Sequence, residues 1–587
     1  MGVRSRAAQH VAEYKYCHVV LLTIPPSRTT LIAFGINTLP SMWTSTAGLD
    51  GRKLRLAITF TSIVGFSLFG YDQGLMSGII SGEQFTKEFP AANVPDDASD
   101  ATSRHVSVIR GAITSCYEIG CLFGAIFTLV WGERIGRTRL ILSGGALMIV
   151  GAVISCSAFG PHWGLGQFVV GRVVSGIGNG MDTATIPVWQ SECSKAHNRG
   201  FLVCFEGAII AVGTLVAYWL DFGFSYIDTS VQWRFPVAFQ ILFAVVMMLG
   251  VLALPESPRW LLLRGHEKEA VHVLAKLNGT HSEDASVREE IGLMKAELHA
   301  SKSETSEWKA LFTFGKTQEF QRMMIGCSGQ FLQQFSGCNG AIYYSTLLFK
   351  QNLHMSDRMS LVLGGVFATV YAIFTLPSFF MIEKVGRRKL WIIGFLGQGL
   401  SMFITMGCLV HPTTQNSNGA AVGIFLFIAF FAFTILPLPW IYPPEINPLR
   451  TRTRAAALST CTNWLCNFAV VMFTPVFSDT SPWGIYLFFA LVNMVAVPFA
   501  YFFYPETSGR HLEEIDLIFA KAHVEGKWPF QVAQQMPKLH NEEILEMSAQ
   551  LGMGRPGISS SFANSENSVE KRTSAEKDNE SPSGATV

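Results

Sequence analysis

Apolar stretches of about 20 residues recur along the chain, and this feature constrains the fold more than any other. A helix of about that length spans the ~30 Å hydrocarbon core of a bilayer. Of the 587 residues, 49% are hydrophobic and 15% are charged, whereas a soluble domain carries ~25% charged residues. The sequence therefore predicts an all-α membrane protein with twelve transmembrane helices and excludes a soluble enzyme. We expect the spans near residues 56–80, 110–131, 139–159, 165–187, 200–221, 235–254, 322–350, 360–382, 390–410, 420–442, 454–476 and 483–504.

Polar segments set the predicted domain boundaries around the spans. Residues 1–55 form an N-terminal extension, and residues 56–254 form a first six-helix half. Residues 255–321 are polar, but Leu and Val recur in them at helical spacing, which predicts cytoplasmic amphipathic helices at the membrane surface. A second six-helix half occupies residues 322–504, and a polar tail follows over residues 505–587. We expect the Ser-, Asn- and Glu-rich end of this tail to be disordered.

Basic residues fall on one side of the membrane if the chain threads through it regularly. They precede the first span and occupy the turns between spans two and three and between spans eight and nine: Lys53, Arg55, Arg134, Arg137, Arg139, Arg387, Arg388 and Lys389. The loop between the first two spans is net acidic. By the positive-inside rule, the basic side is the cytoplasm. We therefore expect a multi-pass protein with both termini in the cytoplasm.

Two motifs recur at the same distance along the chain. Gly132–Arg137 resembles Ile382–Arg387, and Pro255–Ser257 resembles Pro505–Thr507; the members of each pair begin 250 residues apart. Two independent motifs with one offset indicate a duplicated six-span unit. The two halves are then related by an axis along the membrane normal, as in the major facilitator fold.

Six short motifs resemble, in order, those of the sugar porter family of the major facilitator superfamily. They are Phe69–Gly74, Gly171–Gly180, Pro187–Glu192, Pro255–Trp260, Gln333–Asn339 and Pro505–Arg510. Three segments, Thr114–Glu118, Thr185–Glu192 and Thr462–Phe468, are most similar to the fungal glycerol–proton symporters within that family. The resemblance implies uptake of glycerol, or a related small polyol, together with a proton across the plasma membrane.

Carboxyl groups inside the predicted spans are candidates for proton coupling. Asp72 lies in the first span, where an unpaired charge costs ~3 kcal/mol or more, and Arg172 in the fourth span is its natural partner. The resemblance implies that Asp72 accepts the proton and that Arg172 pairs with it; a permanent structural ion pair is the alternative. Glu206 in the fifth span is either a second coupling or ligand group or an interhelical hydrogen-bond partner. For Glu118 and Asp182 we expect structural roles.

Side-chain amides on the seventh and eleventh spans predict a site for a hydroxylated solute. An amide both donates and accepts hydrogen bonds, so it matches a hydroxyl in either direction. Gly337 and Gly340 are expected to kink the seventh span at this level. The alternative for any one amide is a helix–helix hydrogen bond worth ~0.6 kcal/mol. The predicted substrate-binding residues are Gln333, Gln334, Asn339 and Tyr343 in the seventh span, Trp440 in the tenth, and Asn463 and Asn467 in the eleventh.

Two positions differ from the hexose pattern of the family. The resemblance places a Gln at the position of Gly207 and an Asn at that of Tyr371 in hexose porters, and this chain has neither amide. A smaller pocket or a smaller solute follows, which favours a proton-coupled importer of glycerol. A proton-coupled hexose or pentose transporter is the first alternative. A non-transporting nutrient sensor is the second, but such sensors carry long cytoplasmic tails, and only residues 505–587 follow the last span here.

Charged residues near the cytoplasmic ends of the spans are expected to latch one conformation of a transporter and to release it in the other. A solvated run of surface charge is the alternative. The predicted gating residues are Glu133, Arg134, Arg137, Glu192 and Arg199 in the first half, and Glu383, Arg387, Arg388, Glu445 and Arg452 in the second.

The net charge and the cysteine spacing limit the kinds of binding partner that we expect. The formal net charge of +1 gives no sign of nucleic-acid binding, and the 11 Cys show neither metal-ligand nor disulfide spacing. We expect no catalytic residues and no cofactor, with the proton as coupling ion. The expected partners are the lipid bilayer and a small neutral polyol or sugar, and the protein is expected to function as a monomer.

Overall fold

A computed structural model describes most of the chain. The described residues are 44, 46 and 48–551, apart from gaps at 96–98, 161–162, 195–198, 303–306, 354, 412, 449 and 540. Every regular element among these residues is helical, so the predicted all-α class is confirmed. Most of the predicted N-terminal extension, and the end of the tail over residues 552–587, lie outside the described residues.

Twelve helical passages run through the described part of the chain, and we number them spans 1 to 12. Ten are long and apolar enough to cross a membrane by themselves; span 4 is less apolar, and span 7 consists of two shorter helices. The spans are Gly51–Ile79, Asp100–Ile135, Arg137–Cys156, Trp163–Glu192, Arg199–Phe224, Val231–Ala253, Glu319–Phe335 with Cys338–Gln351, Asp357–Thr375 with Ser378–Val385, Arg387–Val410, Thr414–Ile446, Arg452–Thr480 and Gly484–Phe503.

Spans 7 and 10 are interrupted near their middles. Gly337 separates the two helices of span 7 with φ of 98°, and a Cβ at this position would lie 2.7 Å from the Phe489 ring. The predicted kink is therefore confirmed at Gly337, where the left-handed backbone and the close approach both require glycine. In span 10 a π-helical turn, Phe431–Ile435, precedes Pro437. Such turns interrupt the regular hydrogen bonding of a helix and are frequent at functional sites.

The same turn occurs once in each half, between the second and third spans of that half. Gly136 and Gly386 occupy it with φ of 105° and 95°. A carboxylate from the end of the same half caps the helix that follows. Glu256 accepts from the first two N–H groups of span 3, each at 3.1 Å, and Glu506 accepts from those of span 9 at 2.8 and 3.2 Å. A carboxylate at a helix N-terminus is favoured by the helix dipole. The repeated sequence motifs therefore correspond to the same carboxylate-capped turn in each half.

Short helices cover the face that carries these turns, which we call the basic face. Between the halves they are Pro258–Leu263, Glu267–Asn278, Ala285–Lys302 and Glu307–Leu311, and after span 12 they are Leu512–Glu525, Pro529–Gln535 and Asn541–Gln550. The linker helices agree with the helical spacing of residues 255–321. The tail helices were not predicted; Leu517, Val532 and Met536 form part of a small core among them, and Asp516 pairs with Arg322 at the start of span 7.

Hydrogen bonds join the two halves on the side opposite to the basic face. They run from Ser77 to Thr346 at 3.0 Å, from Ser103 to Asp479 at 2.6 Å, between Tyr218 and Ser345 at 2.6 Å, and from Trp219 to Thr369 at 3.1 Å. Nearer the middle, the rings of Phe69 and Trp464 meet edge to face at 5.5 Å. The two halves are therefore held together on the side opposite to the basic face. The buried polar residues described next lie between these contacts and the basic face.

Candidate functional site

Asp72 and Arg172 form an ion pair inside the first half. The side chains are 0% and 1% exposed, and the Arg172 guanidinium donates to Asp72 Oδ1. The same guanidinium lies 4.4 Å from the centre of the Tyr117 ring, a cation–π contact. Among the described residues, Asp72 Oδ2 and two nitrogens of Arg172 have no partner. The pair thus rests on one direct contact, and a buried pair is destabilised strongly when either charge is lost.

Close helix packing places the ion pair. Gly70 lies so near span 5 that a Cβ on it would come 1.9 Å from the Ile210 carbonyl oxygen, and Gly176 of span 4 approaches the Tyr117 carbonyl of span 2 in the same way, at 2.2 Å. Small residues allow helix backbones to approach each other in membranes. The glycines of the sequence motifs therefore hold spans 1, 2, 4 and 5 together around Asp72.

Four of the predicted amides form one hydrogen-bond network in the second half. Gln334 Nε2–H donates to Asn463 Oδ1 at 2.6 Å. Asn339 Nδ2–H donates to Gln334 Oε1 and to Asn467 Oδ1, both at 2.9 Å. All four side chains are buried. The structure thus brings these residues of spans 7 and 11 together, in contacts that fit either a solute site or helix–helix hydrogen bonding.

Glu118 extends this network into the first half. Tyr343 lies one helical turn beyond Asn339, and its hydroxyl donates to Glu118 Oε1 across the boundary between spans 7 and 2. Both side chains are fully buried. We expected only a structural role for Glu118 from the sequence. Its position within an apolar span was the one available signal, since nothing in the sequence indicates that it faces span 7.

Gln333 and Trp440 lie outside the four-amide network. Gln333 Nε2–H donates to the Leu436 carbonyl of span 10 at 3.4 Å, close to the interruption of that span. Trp440 is half-buried in the following helix. Gln333 therefore sits at the junction of spans 7 and 10.

Glu206, Gly207 and Tyr371 surround a different part of the boundary between the halves. Glu206 is buried, and in the described part of the chain no hydrogen bond or charge acts on its carboxyl. A Cβ on Gly207 would lie 3.8 Å from the Leu436 side chain of span 10, an ordinary contact distance. Tyr371 is buried with its ring 6.1 Å from that of Phe431, also in span 10. Gly207 and Tyr371 thus approach span 10 from opposite halves.

The predicted gating residues form ion pairs within each half. Arg137 binds Glu192 of span 4 through two hydrogen bonds of 2.9 and 3.0 Å. Arg387 binds Glu445 of span 10 at 2.9 Å and Glu383 at 2.7 and 2.8 Å. The Arg137–Glu192 and Arg387–Glu445 pairs connect the turns at Gly136 and Gly386 to the basic-face end of another span. The gating role of these residues stays a prediction.

Other predicted gating residues make different contacts. The Glu133 carbonyl accepts from the Trp260 indole at 2.9 Å, and the Arg134 carbonyl accepts from Arg264 at 2.6 Å. The remaining three differ further: Arg388 donates to the Tyr501 carbonyl at 2.7 Å, Arg452 donates to the Asn447 carbonyl at 3.4 Å, and the Arg199 side chain lies outside the described residues. Arg388 therefore anchors span 12 rather than span 10.

Comparisons with known proteins agree with this architecture. The family model described as "Sugar (and other) transporter" matches residues 57–519. The chain is 64% identical over 512 residues to the major facilitator superfamily transporter mfsA of Aspergillus fumigatus, which covers 87% of this chain and 94% of that protein. It is 53% identical over 509 residues to the sugar transporter STL1 of Saccharomyces cerevisiae, with 87% and 89% covered.

The solved structures that resemble this chain include the proton:xylose symporter XylE, from E. coli, bound to 6-bromo-6-deoxy-D-glucose. That comparison has a TM-score of 0.65 and 26% identity, and it covers 79% of this chain and 99% of XylE. The proteins it resembles are thus transporters and not enzymes.

Proposed function

Because the chain belongs to the sugar porter family of the major facilitator superfamily, we propose that it is a proton-coupled symporter that imports glycerol or a related small polyol by alternating access. Family membership, inferred above from short motifs, is confirmed, and the chain is a multi-pass membrane transporter. The proton coupling, the choice of polyol, the plasma-membrane location and the cytoplasmic termini are our proposals.

The buried Asp72–Arg172 pair is the observation that carries the coupling proposal. An ionised Asp72 is stabilised by Arg172, whereas a protonated Asp72 gives up that attraction and leaves the guanidinium to other partners. The contact is single, and among the described residues Asp72 Oδ2 has no hydrogen-bond partner, so protonation of Asp72 would remove the charge that binds span 1 to span 4 at this point. XylE, described as a proton:xylose symporter, supports proton coupling by analogy.

The free energy available to one proton is sufficient for accumulation. Moving one charge through ~100 mV yields ~2.3 kcal/mol, and one pH unit adds ~1.4 kcal/mol. Together they correspond to a several-hundred-fold concentration of a neutral solute. One titrating carboxyl per cycle is therefore enough.

The way the halves meet supports the proposal of alternating access. The halves are joined by hydrogen bonds on the face opposite to the basic turns, so this arrangement corresponds to a path closed on that side. In the proposed cycle these contacts break and re-form, while the Arg137–Glu192 and Arg387–Glu445 pairs each brace the basic-face end of their own half. Solute and proton then enter together.

The amide network supports a hydroxylated substrate, and the departures at Gly207 and Tyr371 favour a small one. Uptake of labelled glycerol and labelled glucose by cells that lack their own carriers tests this directly. We expect glycerol uptake that rises when the medium is acidified. Glucose or xylose uptake without glycerol uptake would instead support the hexose or pentose alternative, and no uptake of any of them would support a sensor.

Truncating Asn339 or Asn467 to Ala is expected to raise the half-saturation concentration for glycerol roughly 2- to 13-fold, because each change removes a hydrogen bond of ~0.5–1.5 kcal/mol. Gln333→Ala is expected to act in the same direction. Surface expression should be unchanged. Gln330→Ala is the matched control, because this buried amide of span 7 donates to the Pro439 carbonyl at 2.9 Å and belongs to no predicted site. Normal transport by all three site variants would identify these amides as helix–helix contacts.

A further inference from the structure

Glu118 is a buried carboxyl group of span 2 that interacts with both the ion pair of the first half and the amide network of the second. Its Oε1 accepts a hydrogen bond from the Tyr343 hydroxyl, and the Asn467 side-chain amide lies within hydrogen-bonding reach of the carboxyl. Among the charged side chains near it, Arg172 acts on it most strongly and Asp72 acts second. Glu118 therefore stands between the residues to which the proposed function assigns the proton and those to which it assigns the solute.

Arg172 makes fewer hydrogen bonds than its donors allow. A guanidinium donates through all of its nitrogens, but here it binds Asp72 Oδ1, and its Nε and Nη2 have no hydrogen-bond partner among the described residues. Its charge lies over the ring of Tyr117, the residue that precedes Glu118 in span 2, at 4.4 Å. Buried donors are nearly always satisfied. The guanidinium thus has donors for a second acceptor, and the Glu118 carboxyl is within its electrostatic range.

The charges of these residues are unequal when both carboxyl groups are ionised. Asp72 and Glu118 then carry one more negative charge than Arg172 can neutralise. An excess charge inside the membrane is costly, and a proton that binds Asp72 from the outside solution removes it. Arg172 keeps its own proton throughout, because arginine is not deprotonated in proteins. One proton on Asp72 is therefore enough to leave a neutral pair of Arg172 with Glu118.

We propose that Glu118 is the second partner of Arg172 and that it couples the proton to the solute. While Asp72 is ionised, Arg172 binds Asp72, and Glu118 accepts from Tyr343 and Asn467. When a proton binds Asp72, Arg172 binds Glu118 instead, and Glu118 releases both of its donors. The Tyr343 hydroxyl and the Asn467 amide can then donate to hydroxyl groups of the solute. This inference rests on the proposed function, because it names the residue that joins the two sites of the same transporter.

The other ionisable groups around these carboxyls are thiols and phenols, which ordinarily stay protonated at neutral and acid pH. The acid dependence of the cluster is therefore assigned to Asp72 and Glu118. The groups that act on one or both of these carboxyls, besides Arg172, are Tyr71 from span 1, Cys116, Tyr117 and Cys121 from span 2, and Tyr343 and Tyr344 from span 7.

The test follows the acid dependence of uptake at saturating glycerol, in the unaltered full-length chain and in Glu118→Gln. Glutamine keeps an oxygen that accepts from Tyr343, but it has no charge with which to bind Arg172. Protonation of Asp72 then leaves Arg172 without an anion and requires more acid. We expect the pH of half-maximal uptake to fall by about one unit or more. In the unaltered chain the half-saturation concentration of glycerol should decrease on acidification, because coupling is reciprocal, and Glu118→Gln should lose that dependence.

Tyr343→Phe is expected to shift the midpoint in the opposite direction. It removes the hydrogen bond that holds Glu118 while Asp72 is ionised, so Glu118 binds Arg172 more readily and Asp72 is protonated at a higher pH. The pH of half-maximal uptake should rise by about one unit, since a hydrogen bond to a charged group is lost. Tyr344→Phe is the matched control, because this buried neighbour donates to the Val471 carbonyl at 3.0 Å, and its midpoint should not move.

Opposite shifts in the two variants would support the inference, because a loss of packing lowers the rate of uptake without moving its midpoint. An unchanged midpoint in Glu118→Gln, or shifts of the same sign, would overturn it. If Glu118→Gln does not reach the cell surface, Tyr343→Phe decides, and a midpoint that does not rise overturns the inference. If the unaltered chain takes up no glycerol, or takes it up independently of pH, the proposed function fails instead, and this is measured before any variant.

Discussion

Replacing Asp72 with Asn is expected to abolish accumulation of solute against its gradient, while exchange of solute down its gradient continues. Asparagine keeps the volume of the side chain and an oxygen that accepts from Arg172, but it cannot take up a proton or carry the charge that the guanidinium requires. Accumulation ratios of labelled glycerol, measured with and without a protonophore, should become equal in the variant. The alkalinisation of the medium that follows addition of substrate should also disappear in this variant.

Asp182→Asn is the matched control for this change. Asp182 is also a buried carboxyl in a membrane span, and neither of its oxygens has a partner among the described residues. It lies instead against Gly144 of span 3, and among the described residues no charged group acts on it. We expect accumulation to persist in this variant. Undiminished accumulation by Asp72→Asn, or its loss in both variants, would contradict the assignment of coupling to Asp72.

The ion pair could be predicted from sequence because intramembrane charges are rare. An aspartate and an arginine in apolar spans each carry a large desolvation cost, so each demands a partner, and few candidates were available. The structure brings the two together. The duplication of the turn could be predicted equally well, because two motifs recur at 250 residues, but its capping by Glu256 and Glu506 emerged only from the structure.

The amide network and its link to Glu118 could be predicted only in part. Helical spacing places Asn463 and Asn467 on one face of span 11, but it does not say which helix that face meets. Only the three-dimensional packing joins Asn467 to Asn339 and Tyr343 to Glu118. The tail helices were missed for another reason. Their apolar core is small and its residues come from three short helices, so no single segment carries a strong periodic signal.

The prediction with the largest effect on selectivity concerns Gly207 and Tyr371. We expect glycerol to compete for uptake far better than glucose does, and we expect the double change Gly207→Gln with Tyr371→Asn to shift preference towards hexose. A hexose taken from water leaves hydroxyls unpaired unless the site offers polar partners, and these two changes supply two amides. Two hydrogen bonds of ~0.5–1.5 kcal/mol each correspond to a shift of roughly 5- to 150-fold.

The structure makes this exchange of side chains feasible. A Cβ at position 207 would lie 3.8 Å from the Leu436 side chain of span 10, an ordinary contact distance, and replacing the Tyr371 ring with Asn frees volume beside Phe431 on the same span. The single variants are the controls: Gly207→Gln alone adds an amide but leaves the ring, whereas Tyr371→Asn alone opens space with one amide. Inhibition constants of glucose and glycerol against labelled glycerol uptake report the balance directly. If the unaltered chain carries glucose readily and ignores glycerol, the pocket is not selective for small polyols, and the hexose alternative replaces the glycerol proposal. If the double variant leaves the preference unchanged, residues 207 and 371 do not contact the solute.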